Sequence, residues 1–222
     1  MGNGRARCST SAATPPAPST VTSLTNRIAA AVERALDDRQ REATEEVERI
    51  LAAAIRVMER VAPDPPRVSD IVSEAGSSNK AFYRYFAGKD DLILAVMERG
   101  VAMVVSYLEH QMAKETAPKA KIARWIEGAL AQVADPHLLS MSRAAVGQMS
   151  ADANVDEIMR PMRNLLTEPV AALGSKDVRR DADAVFYCTA TAMRRYLDSA
   201  VRPGRADIDH LVRFCLRGLG AD

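Results

Sequence analysis

The chain has 222 residues, long enough to bury a sizeable core as one large domain or two small ones. Lys and Arg number 30 against 29 Asp and Glu, so at a net charge of +1 no global field draws it to nucleic acid; any DNA affinity must come from a local basic surface, doubled by dimerisation. Cys8, Cys188 and Cys215 are too few and too scattered for a disulfide framework or a zinc site, no apolar run approaches the roughly 18 residues of a spanning helix, and the N-terminus lacks a signal-peptide core. A cytoplasmic protein with buried, reduced thiols is expected.

Residues 1–23 are rich in Ala, Pro, Ser and Thr, with Arg5 and Arg7 as the only charges, and have too little apolar surface to offset the entropy of ordering, which predicts a disordered arm. From Leu24 the pattern changes. Leu24, Ile28, Val32 and Leu36 recur every four residues, the mark of an amphipathic helix, and residues 37–46 are then almost wholly polar. Residues 24–43 are accordingly expected to be an extra helix and a polar connection. Arm and helix together carry a net charge of +3 through Arg41, which suits either an added DNA or subunit contact or a solvated tail.

Thr44, ahead of Glu45 and Glu46, is a candidate N-cap for a helix whose stripe runs through Val47, Ile50, Leu51, Ala54, Ile55, Met58 and Val61 until Pro63, Pro65 and Pro66 stop it. Val68, Ile71, Val72 and Ala75 then fall at i, i+3, i+4 and i+7, one face of a two-turn helix. Gly76 follows as the residue able to end it in the left-handed region, and Ser78 can cap a second helix. In that second helix Phe82, Tyr85 and Phe86 cluster on one side, leaving Asn79, Lys80, Tyr83 and Arg84 on the other. Two short helices joined by a glycine turn, the second exposing donors and positive charge, are the layout of a DNA-reading helix-turn-helix or of an ordinary helical hairpin.

The spelling is more specific. Ala75-Gly76, Ser78, Tyr83, Phe86, Lys89 and Leu92 resemble the TetR family of bacterial regulators over residues 47–94. The resemblance implies an all-α fold: a three-helix DNA-binding head over residues 44–92 and a helical effector-binding and dimerisation body over residues 93–222. It also implies a homodimer on double-stranded operator DNA, a repressor in the family sense, released by a small, largely apolar effector. Ser78, Tyr83 and Lys89 would anchor phosphates, while Asn79, Lys80 and Arg84 would address base edges. Two positions depart from the family pattern: Lys80, where a small residue is usual, and Ala81, where a hydroxyl is usual.

Beyond Lys89, the pattern of Leu94, Met97, Val101, Val104, Val105 and Leu108 continues one helix that would link head and body. Residues 118–134 read as a helix, 138–149 as a buried one, and 152–173 as a segment kinked or divided at Pro161 and Pro169. The last two helices carry more apolar surface than one core needs: Val185, Thr189, Ala192 and Tyr196, then Ile208, Leu211, Val212, Cys215, Leu216 and Leu219. These either form a dimer interface or close the monomer core. Met103, Tyr107, Trp125, Met141, Met149, Met162 and Phe186 are candidates for an adaptable effector pocket, or plain core. Arg143 and Arg194 could meet an anionic head group or simply be solvated.

His110, His137 and His210 are in no metal-ligand spacing, no Ser or Cys sits in a nucleophile motif, and no glycine pattern cradles phosphate. No cofactor, metal or catalytic residue is therefore expected. The competing class is a helical scaffold or an enzyme whose site the sequence does not reveal.

Overall fold

The computed structural model describes residues 20–62, 64–135, 154–199 and 201–221, with side chains from Asn26 onward. Among them lie nine helices and no strand: α1 (Thr20–Val61), α2 (Val68–Glu74), α3 (Asn79–Tyr85), α4 (Lys89–Met112), α5 (Pro118–Ala134), α6 (Val155–Asn164), α7 (Thr167–Ala172), α8 (Val178–Leu197) and α9 (Arg205–Gly218). Arg5, Arg7, Cys8, the first 19 residues of the expected arm, and the expected helix over 138–149 with His137, Met141, Arg143 and Met149 lie outside the described residues.

The expected break between an extra helix and a bracing helix is absent, because α1 runs through residues 37–46. Thr44 does not cap; its hydroxyl donates to the Gln40 carbonyl one turn back, at 2.9 Å. The physical reason is that polarity does not end a helix. Arg, Gln, Glu and Ala are good helix formers, and neither Gly nor Pro occurs between Thr20 and Ala62. Packing nevertheless divides the chain into two units, one ending at Glu45 and the other starting at Glu46. Within the first, Ile28, Val32 and Leu36 are 65%, 53% and 57% exposed, so the apolar stripe of that stretch finds no cover in its own unit.

The second unit contains two cores. Ile50, Leu51, Ala54, Val57 and Met58 of α1 pack with Ile71 and Val72 of α2, Phe82 of α3, Phe86 and the start of α4 through Leu92, Ile93 and Val96. This is the head. Gly76, at φ +61°, makes the turn out of α2, while the Ser77 amide donates to the Val72 carbonyl at 2.9 Å. Ser78 caps α3 by accepting from the Ala81 amide at 3.1 Å.

The larger core is the body, centred on α5, which packs against α4, α7, α8 and α9. Ile122, Trp125, Ile126, Ala129, Leu130 and Val133 of α5 are essentially inaccessible to water. Trp125 packs against Phe186, ring centroids 6.1 Å apart, and its indole N–H donates to the Met162 carbonyl at 3.0 Å. Where α5 passes α4, a Cβ on Gly128 would stand 2.5 Å from Leu108 Cδ2, so any larger residue there would force the Leu108 side chain to shift. The 152–173 segment is divided, but at residues 165–166; Pro161 sits inside α6 and Pro169 inside α7. One helix belongs to both cores: α4 gives its first turns to the head and the stretch from Met97 to Met112 to the body.

Candidate nucleic-acid interface

Seven residues are too few for a helix to persist alone, so α3 exists because Phe82 is fully buried beneath it, edge-on to Tyr83 at 5.1 Å and near Phe86 at 5.5 Å. Anchoring one face leaves the other outward. Asn79, Lys80 and Tyr83 are exposed, Tyr83 to 60%. Ser78 stands at the N-terminus of α3, where first-turn amides have no intrahelical acceptor. Lys89 opens α4, half-buried beside the Gly88 N-cap, and the loop before it is closed by the Ala87 amide donating to Asp91 at 2.9 Å. Ala81 is buried.

Arg84 is the exception among the expected base-reading residues. Its guanidinium turns back to its own chain, bonding Glu46 at 2.5 Å and the Tyr85 hydroxyl at 2.7 Å, and lies 4.6 Å over the Tyr85 ring. Glu46 also accepts from Tyr85 at 2.9 Å and from Ser77 at 3.1 Å. The Tyr85 hydrogen bond is the largest influence holding the Glu46 carboxyl below its usual range, with Ser77 and Arg84 adding to it against the opposing effect of burial. A second carboxylate, Glu74, accepts from Arg56 at 2.9 Å and Arg60 at 3.1 Å and so ties α2 to α1. Glu46, Ser77, Glu74, Arg56 and Arg60 were not among the sequence candidates. Their partners lie between 14 and 39 residues away, and no local pattern signals such pairs.

Among the described residues, those expected to line an effector pocket fall in different places. Trp125, Met162 and Phe186 are sealed in the body core, whereas Met103 and Tyr107 are 62% and 43% exposed. Those two line an open groove of about 600 Å³ on α4 with Arg99, Ala102, Ser106 and His110. A second groove of about 380 Å³ runs between α4 and α6 over Val101, Ala102, Val105, Ile158 and Pro161, with Glu98, Glu109 and Glu157 at its edge. The sequence reading missed it, since its floor is built from unremarkable aliphatic residues of two distant helices.

The expected interface residues also separate. Val185, Thr189, Tyr196 and Cys215 are interior to the single chain; Thr189, fully buried, donates to the Val185 carbonyl at 2.9 Å. Burial pushes the Cys215 thiol up to about 12. Those four close the monomer core, whereas Ala192, Ile208, Leu211, Val212, Leu216 and Leu219 pack against it half-covered, and Phe214 is 60% exposed. Arg194 is exposed and 3.9 Å from Asp198. Among the described residues no three His, Cys, Asp or Glu are gathered as metal ligands, and no helix is long and apolar enough to cross a membrane.

Residues 50–96 match the model of the bacterial regulatory proteins of the tetR family. An HTH-type transcriptional regulator of Bacillus subtilis, YvdT, is 45% identical over 51 residues, which is 23% of this chain; the match spans about a quarter of that relative's length, 26%. The solved FadR of Bacillus subtilis in complex with stearoyl-CoA shares the fold at a TM-score of 0.60 and 19% identity, over 78% of this chain and 96% of FadR. RolR in complex with resorcinol does so at 0.63 and 15%, over 82% and 91%. Residues 50–96 thus carry the tetR-family match, and the chain as a whole shares the helical fold of these solved structures.

Proposed function

We propose that the chain is a homodimeric, cytoplasmic, ligand-responsive regulator, a repressor released from operator DNA by a small, largely apolar effector. The observation that carries the reading is α3: a helix anchored by a buried Phe82 that presents Asn79, Lys80 and Tyr83 outward, between the cap at Ser78 and the cation at Lys89. An α-helix of this kind fits the major groove, where Asn pairs with adenine and Lys with guanine, while Ser78, Tyr83 and Lys89 take phosphates.

In the body, the groove between α4 and α6 offers an apolar floor on the one helix that belongs to both cores, so an occupant there has a direct route to the head. That the similarly folded FadR and RolR were solved with stearoyl-CoA and resorcinol supports a small-molecule effector. The half-covered faces of α8 and α9, with Phe214, are the surface for the second subunit. Leu216→Asp would place an unpaired carboxylate there and is expected to give monomer by sedimentation; a fully dimeric variant would place the contact elsewhere.

Sequencing the genomic fragments retained by the purified protein tests the whole reading. Enrichment of discrete, two-fold symmetric sites is expected. Retention of no discrete site would instead favour a helical scaffold.

A further inference from the structure

Three side chains from the turn and the reading helix converge on one carboxylate. Ser77 donates to Glu46 Oε1 at 3.1 Å, and Oε2 receives both the Tyr85 hydroxyl at 2.9 Å and Arg84 Nη2 at 2.5 Å. Since Tyr85 gives its only proton to Glu46, its lone pairs are free for Arg84, which bonds that hydroxyl at 2.7 Å and stacks on the ring. The cluster is satisfied in one direction, from guanidinium through phenol to carboxylate. Its covered end is Glu46, 21% exposed, and its lid is Arg84, 62% exposed. Asn79 and Lys80, on the same short helix, have no such intrachain bond among the described residues.

The chemistry of a free guanidinium shows what this arrangement prevents. An arginine on the exposed side of a reading helix takes any phosphate oxygen it can reach, adding affinity that is the same for every sequence. Paired with a carboxylate and folded over an aromatic ring, it brings no net charge to the duplex. Resting on the DNA-binding reading above, we propose that Glu46 is a specificity-determining positioning residue: it withholds Arg84 from DNA and clamps Tyr85, so that α3 offers Asn79 and Lys80 to the bases without an indiscriminate phosphate contact beside them. The head thereby gives up sequence-independent affinity in exchange for discrimination.

Glu46→Gln keeps one acceptor oxygen, for Ser77 or Tyr85, offers its amide N–H to the other hydroxyl, which can turn to accept, and removes the charge that holds Arg84. Full-length protein is titrated onto two duplexes of equal length, one enriched by the unaltered protein from a random pool and one scrambled. For Glu46→Gln, binding to the scrambled duplex tightens, and its dependence on salt steepens by about one counterion per head. Between about 50 and 200 mM salt that slope multiplies the loss of affinity by roughly 3 to 4 for each head, or about 12 for the two heads of a dimer. In Glu46→Gln/Arg84→Met the slope returns to that of the unaltered protein, which a merely structural role for Glu46 does not produce.

Arg84→Met alone, at an exposed side chain, leaves slope and affinity within about two-fold on both duplexes, because Glu46 already keeps this arginine off DNA. This arm decides the matter even if Glu46→Gln fails to fold. An Arg84→Met slope lower by about one per head overturns the proposal, as does a folded Glu46→Gln whose slope is unchanged. Should the unaltered protein enrich no duplex, the DNA-binding reading itself falls and takes this inference with it; enrichment with unmoved slopes sinks the inference alone.

Discussion

In the head, two seven-residue helices are held by a few apolar contacts and by carboxylates that reach across the chain, Glu46 to the reading helix and Glu74 to the helix before it. In the body, helices of 17 to 24 residues such as α4, α5 and α8 surround Trp125 with an almost wholly apolar core. The difference follows from helix length. A two-turn helix buries one or two large side chains and leaves its orientation soft, so polar bonds with fixed geometry are needed to aim it, whereas a five-turn helix is aimed by the ridge it packs. The head is thus built for direction and the body for bulk, and α4 is the structural element common to both.

The largest effects come from emptying either core. Phe82→Ala in the head and Trp125→Ala in the body should each cost about 3–5 kcal/mol. Trp125 is the only tryptophan, so its fluorescence in urea reports on the body alone. If α4 couples the cores, Phe82→Ala lowers the midpoint of that transition; an unmoved midpoint would mean that head and body unfold separately. Far-UV circular dichroism follows Trp125→Ala, which lacks the probe.

Next come the outward residues of α3. Replacing Asn79 or Lys80 by Ala should relax preference at particular base pairs, each by about 1–3 kcal/mol. Tyr83→Ala and Lys89→Ala should instead weaken all duplexes alike, with the salt slope falling by about one for Lys89. Titration of an enriched duplex and its single-base variants separates the two groups; identical sequence rankings for the Asn79 and Lys80 variants would remove the base-reading role.

Gly128→Ala probes the closest packing in the body. Crowding against Leu108 costs about 1–3 kcal/mol, and the better helix propensity of alanine returns about 1 kcal/mol, so a net loss of about 1 kcal/mol is expected in urea denaturation. A stabilised variant would show that Leu108 can turn aside.

The smallest effect distinguishes head from body by acid. Hydrogen bonds from Tyr85 hold Glu46 below its usual value of 4.5, those from Arg56 do the same for Glu74, and the Tyr187 hydroxyl does so for Asp156 in the body, below 3.8. For a carboxyl lowered in the folded state, the stabilisation is present above the unfolded value and is lost as pH falls through the folded one. Melting temperatures of Glu46→Gln and Glu74→Gln should therefore converge on that of the unaltered protein as pH falls below 4.5. Differences that grow with acid would reverse the assigned sign. Each of these carboxylates stays in contact with solvent, so screening keeps the effect modest.

By itself the sequence determined the elements and the identity of the head. The spacing of Val68, Ile71, Val72 and Ala75, the glycine at 76, the cap at Ser78 and the aromatic side of α3 are local facts, governed by helical period and backbone preference, and α2, α3 and their turn follow from them. What the tertiary structure decided is which way long side chains go and which faces are spent. Arg84 looks like a base reader until Glu46, 38 residues earlier, claims it. Val185, Thr189, Tyr196 and Cys215 look like surplus surface until α5 and its neighbours cover them, and Trp125, Met162 and Phe186 look like pocket walls until they fill the core. The continuity of α1 is local information too, for a polar stretch without Gly or Pro has no reason to leave the helix. Periodicity says that a residue is on a face; only the packing of helices far apart in the chain determines what that face meets, because those contacts depend on chain closure rather than on neighbouring residues.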